Sequence, residues 1–191
     1  RATEISKSYG AVRAIKPTSF SLPVNRLVVV MGPSGSGKST LLRLLSFVEL
    51  PDSGELELEL EGSRYSTRSD VRPWPMVTCV FQRLFLWPHL TLRENVAMPL
   101  RVRGVEVAAP LKRAIDLFDM GAFVDRYPNE VSGGQAQRAA LARALVLQPR
   151  VLLIDEAHTG LDREQQTTLN RHFEELRNTG VGLIIVSHSV D

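Results

Sequence analysis

The apolar positions of this chain follow two periods. Leu27-Val28-Val29-Val30-Met31, Val77–Phe81, Val151–Ile154 and Val181–Ser187 are short, nearly continuous apolar runs, the pattern of strands buried in a parallel sheet. Leu56, Leu58 and Leu60 alternate with Glu55, Glu57, Glu59 and Glu61, the period of a half-exposed strand with a solvated glutamate face. Leu41, Leu44, Leu45 and Val48 recur at helical spacing. Helical periodicity also dominates from about Leu90 to Val146, with breaks near Arg103-Gly104 and Tyr127-Pro128. Arg64–Pro75 is polar, contains two prolines and reads as a loop. A last amphipathic helix is predicted after Asp162, a candidate N-cap. Leu169, Phe173 and Leu176 form its inner stripe, and Gly180 follows its end. Buried strands alternating with helices predict an α/β domain with a mostly parallel sheet.

The 191 residues are enough for one domain with a sizeable core. A net charge of +2 gives no reason to expect nucleic acid or a lipid surface as partner. Cys79 stands alone, which excludes an internal disulfide and a cysteine-built zinc site; its apolar neighbours predict a buried, inert thiol. No stretch is long and apolar enough to span a bilayer, so any membrane part is expected in another chain. The chain opens on Arg1 and stops just after a strand-like segment, as a fragment of a longer protein would.

One segment changes the picture. Gly32-Pro33-Ser34-Gly35-Ser36-Gly37-Lys38-Ser39-Thr40 fits G-x-x-x-x-G-K-[ST], with a strand before it and a helix after it. Such a loop gathers backbone N–H groups and a helix N-terminus around one point, which attracts an anion. Lys38 can reach terminal phosphates, and the Ser39 hydroxyl suits Mg²⁺. A second element follows the buried run Val151–Ile154. Asp155 emerges at its carboxyl end, where open parallel sheets bind ligands, and suits Mg²⁺; Glu156 suits a general base for water. Alone, this pair would equally fit a solvated acidic turn. Ser132-Gly133-Gly134-Gln135 is a second glycine-rich turn into a helix. Spacing alone favours a capped helix start, with Ser132 as cap, over a ligand site. By themselves, Gln82 at a strand end, His188 at another and Tyr9 fit structural roles better than functional ones.

Together these motifs resemble the ATP-binding cassette (ABC) ATPases, the motor subunits of ABC transporters, over almost the whole chain and in the family's order. Gly32–Thr40 resembles Walker A, Gln82 the Q-loop, and Ser132–Gln135 the family signature. Asp155 and Glu156 resemble Walker B and its catalytic glutamate, Thr159–Asp162 the D-loop, and His188 the switch histidine. The resemblance implies a P-loop core of about residues 1–85 and 147–191, with an antiparallel β part near the N-terminus. It implies an inserted helical subdomain of about residues 86–146, and a family domain that normally continues past residue 191.

It further implies ATP and Mg²⁺ as ligands and a head-to-tail pair of cassettes sandwiching two ATP molecules. Ser132, Gly133 and Gly134 would then face the phosphate held by the other cassette's loop. Tyr9 would stack on adenine, and Asp162 would join the two sites. Gln82 would touch Mg²⁺ or the attacking water, and His188 the γ-phosphate. Val131, where leucine is usual, and Ala157-His158 after the glutamate depart from the family pattern without removing a named group. A separate membrane subunit would dock near residues 82–96, holding the chain on the cytoplasmic face of the membrane. Leu84–Val96 looks like polar amino-acid importers. The alternative is a cassette that works mechanically on a membrane partner, as in cell-division or lipoprotein-release machines.

Overall fold

The computed structural model describes residues 1–156, 163–178 and 180–187. The N-terminal strands β1 (Ala2–Tyr9) and β2 (Val12–Phe20) form an antiparallel hairpin. β1 also pairs with β4 (Ser53–Leu60), which pairs with β5 (Ser63–Ser66), giving the order β2-β1-β4-β5. The second sheet is parallel, in the order β3-β8-β7-β6, with β3 Leu27–Met31, β6 Val77–Val80, β7 Val151–Asp155 and β8 Gly182–Ser187. Helix α1 (Lys38–Leu45) follows β3. Helices α2 (Leu92–Arg103), α3 (Ala108–Leu117) and α4 (Gly133–Leu145) lie between β6 and β7, and α5 (Arg163–Asn178) precedes β8.

The two-residue period of the central strands divides the core. Leu153, Ile184 and Val186 face Leu42 of α1 and Leu60 of β4. Leu152, Ile154, Leu183 and Ile185 face the other way, into a larger cluster with Leu92, Val96, Leu141 and, from α5, Leu169, Phe173 and Leu176. A third cluster, Ala2, Ile5, Leu44, Phe47 and Leu56, seals the antiparallel sheet onto α1.

Four expectations change. Leu27–Met31 is an edge strand, and Leu27, Val29 and Met31 on one face are exposed rather than buried. Helix α1 stops at Leu45, Phe47 turns to φ 58° and Val48 is exposed, so Val48 is not on its inner stripe. Arg64–Pro75 is not all loop. Glu61 and Gly62, both at positive φ, turn β4 back into β5. A polar strand with no alternating apolar face leaves no hydropathy signal. The glutamates of β4 and of the turn after it are not merely solvated: Glu55 pairs with Arg68, Glu57 with Arg64, and Glu61 with Arg150.

Candidate nucleotide site

All four strands of the second sheet run parallel, so their carboxyl ends share one edge. That edge carries Gly32–Gly37 after β3, Gln82 after β6, and Asp155 and Glu156 at the end of β7. His188 would follow β8, but it lies outside the described residues, as does the Thr159–Asp162 segment.

The loop from Gly32 to Gly37 is shaped by backbone constraints. Gly35 and Gly37 have φ of 78° and 90°. A Cβ on Gly37 would sit 2.4 Å from the Ala14 carbonyl oxygen of β2, so only glycine admits this approach. Lys38 folds back inside the loop, nearly buried, and its Nζ donates to Gly32 O at 2.8 Å and Pro33 O at 2.9 Å. Gly37 is the N-cap of α1, so Lys38, Ser39 and Thr40 open the helix at its positive end. Pro33, Ser34 and Ser36 are exposed around the rim.

Asp155 is buried at 5% exposure, and its Oδ1 has no hydrogen-bond partner. A buried carboxylate oxygen without a donor fits a hard cation. Glu156 holds φ 53°, a costly backbone conformation for a side chain of its size, and its N–H donates to Val186 O at 2.9 Å. Gln82 Nε2 donates to Glu156 Oε2 at 2.7 Å. Gln82 and Glu156 therefore meet directly at this edge.

Tyr9 is 42% exposed on the hairpin whose β2 strand presses Ala14 against Gly37, and its hydroxyl donates to Glu49 Oε2 at 2.6 Å. Ser132 is the N-cap of α4. Its Oγ accepts from Gln135 N at 3.3 Å while Gln135 Oε1 accepts from Ser132 N at 3.0 Å, a reciprocal capping box. That occupies the Gln135 side chain. Ser132 and Gly133 are exposed, and nothing stands within 4 Å of a Cβ built on Gly133.

Two residues that sequence reasoning passed over hold the segment after Gln82. Asn95, fully buried, donates from Nδ2 to the carbonyls of Trp87, Leu90 and Thr91 and accepts from Trp87 N. Arg143 of α4 donates to Leu84 O and Phe85 O, and its guanidinium lies over the Trp87 ring at 5.1 Å. An Asn inside an apolar helical stripe was the one available signal for the first; the second had none.

One edge of a parallel sheet thus carries the glycine-rich loop, a buried aspartate whose Oδ1 has no hydrogen-bond partner, and a Gln–Glu pair. The ABC transporter family model matches residues 15–159, and the chain belongs to that family of ATPases. It is 39% identical over 193 residues to the arginine transport ATP-binding protein of Escherichia coli K12, covering 96% of this chain and 79% of that protein. It is 39% identical over 192 residues to the sulfate/thiosulfate import ATP-binding protein of Synechococcus elongatus, covering 98% of this chain. The chain spans about half of that second relative, 55% of its length. Among solved structures, a dimeric bacterial ABC transporter cassette superposes with a TM-score of 0.86 at 29% identity. That match covers 99% of this chain and 88% of the other. The same cassette, as a dimer bound to ADP and Pi in a post-hydrolysis state, matches equally well.

Proposed function

We propose that this chain is the ATP-binding and ATP-hydrolysing subunit of an importer, closing on MgATP as a head-to-tail pair of cassettes to drive a separate membrane subunit. The observation that carries the reading is the shared edge at which Asp155 keeps a buried, unpartnered oxygen and Gln82 bonds Glu156 beside the Lys38 loop. Relatives named as import and transport ATP-binding proteins support transport over a purely mechanical role. Arginine and sulfate/thiosulfate relatives are equally similar, at 39% each, and so favour neither cargo.

In this reading the amides of Gly32–Thr40 and the Lys38 ammonium bind the phosphates of ATP, and Tyr9 stacks on its adenine. Ser39, Gln82 and Asp155 hold Mg²⁺, which when bound neutralises charge on the phosphate oxygens. Glu156 accepts the proton of the attacking water, which Gln82 orients, and His188 donates to the γ-phosphate. Ser132, Gly133 and Gly134 complete the site of the second cassette with the exposed N-terminus of α4, and Asp162 links the two sites.

For the membrane subunit, the supporting feature is an apolar cleft of about 500 Å³ beside residues 82–96. Trp74, Trp87, Val48 and Val102 line it and remain exposed. No described helix is long and apolar enough to cross a membrane, which fits peripheral attachment through that partner. The test is Glu156→Gln with MgATP. ATP binding should persist, turnover should fall about 10²- to 10⁴-fold, and an ATP-dependent dimer should accumulate on size exclusion. Normal turnover in that variant rules out Glu156 as the base.

A further inference from the structure

Arg143 sits near the end of α4, eleven residues and about 16 Å along one continuous helix from the Ser132 turn. It sends both arms of its guanidinium to two successive carbonyls, Leu84 O at 2.6 Å and Phe85 O at 2.7 Å, only two and three residues beyond Gln82. It also lies over the Trp87 ring and lines the cleft beside residues 82–96. No carboxylate ion-pairs with it among the described residues, so the carbonyls are what fixes the cation.

We infer that Arg143 is a positioning residue for hydrolysis: it fastens the Gln82–Trp87 segment to the signature helix, so that Gln82 meets Glu156 only when α4 is in place. The inference rests on the ATPase reading above. Its physical basis is the planar fork, which bonds two carbonyls in fixed geometry while its face packs on Trp87; a lysine ammonium cannot do both. A shift of α4, which carries Ser132–Gly134, is then passed to Leu84 and Phe85 and so to Gln82. A shift of the cleft wall at Trp87 travels the same route in reverse.

The test uses Arg143→Lys and Arg143→Met in a Trp74→Phe background of the full chain, where Trp87 is the one remaining tryptophan of two. Turnover, ATP affinity, thermal midpoint and Trp87 emission on adding MgATP are measured. Both variants should keep ATP affinity, read in the absence of Mg²⁺, within about twofold, because neither touches Gly32–Thr40, while kcat with MgATP falls about ten- to a hundredfold. The emission response of the parent should be lost in both. Arg143→Lys should keep the parent's thermal midpoint without recovering its rate. The inference is overturned if folded Arg143→Lys turns over like the parent and keeps the emission response. It is also overturned if the lost rate only tracks lost folding or lost ATP affinity. If the parent itself hydrolyses no ATP, the ATPase reading fails, and the emission comparison alone decides the role of Arg143.

Discussion

Gln82 Nε2 and Glu156 Oε2 lie 2.7 Å apart, joining the ends of β6 and β7 across 74 positions of sequence. An amide donor at this distance holds the carboxylate in one orientation. Gln82→Glu places a second carboxylate there, and two like charges so close cannot both ionise cheaply. One of the pair then titrates at higher pH, and the acid limb of the kcat profile should move upward. Gln82→Ala should instead lower kcat about ten- to a hundredfold through lost orientation, without placing a second charge beside Glu156. A pH–rate series on both variants separates the effects; superimposable profiles would show that Gln82 does not face the base.

Gly37 is sterically locked. Its φ of 90° and the 2.4 Å approach of Ala14 O to a built Cβ mean that Gly37→Ala must move β2 or unwind the start of α1. We expect a loss of at least about 1 kcal/mol of stability, because alanine does not tolerate this conformation. ATP affinity should fall with it, since Lys38 and Ser39 begin that helix. Gly35→Ala has an equally positive φ of 78° but open space around it, and should disturb binding without the same loss of stability. Calorimetry and nucleotide titration of the pair test this ordering.

The legible parts of this fold are those whose information is local. β6, β7 and β8 are continuous apolar runs, and the Gly32–Thr40 loop is a pattern within nine consecutive residues. β1 and β2 are legible only through the family resemblance, as an antiparallel β part near the N-terminus, because exposed Arg13, Lys16 and Thr18 leave β2 no apolar period. β3 looked buried on both faces because an apolar run carries no record of being at a sheet edge. The meeting of Gln82 and Glu156 follows from strand register, Val80 beside Ile154, which no window of sequence contains. Arg143 and Asn95 act on backbone carbonyls, and a carbonyl has no sequence identity to correlate with. The capping box of Thr91 and Glu94 at α2 is contained in four consecutive residues, although the sequence expectation for that region rests on helical period alone.

Asn95 is the clearest case of buried polarity that organises a functional loop. Its amide bonds three carbonyls and one N–H; Trp87 O also accepts from Leu90 N and Thr91 O from Asn95 N, which leaves Leu90 O and Trp87 N as the groups that depend on it. Asn95→Ala leaves Leu90 O and Trp87 N unpaired in a site that is 0% exposed at its centre. The expected cost is about 2–4 kcal/mol, from unpaired groups rather than from lost apolar contact. Asn95→Asp keeps an acceptor for Trp87 N but offers no donor when ionised, so it should be no milder. Denaturant unfolding gives the cost. Near-parental stability of Asn95→Ala would mean that water replaces the amide.

His172 makes stability depend on pH. It is 2% exposed on α5, with its ring 4.9 Å from that of Phe118 just beyond α3 and its Nε2 without a partner. Burial lowers its pKa below the free value. Glu175, whose Oε2 is 3.5 Å from Nδ1, and Asp119 oppose that shift, and Arg171 adds to it. The folded chain therefore holds the neutral ring, and the unfolded chain binds the proton first as pH falls. This contribution is fully present above the free value of about 6.5 and is lost progressively as pH drops toward the folded value. His172→Leu cannot protonate. Between about pH 7.5 and about pH 5, the parent's thermal midpoint should fall more than that of His172→Leu. The expected sign follows from the buried unpartnered nitrogen, and equal slopes for the two chains would contradict it.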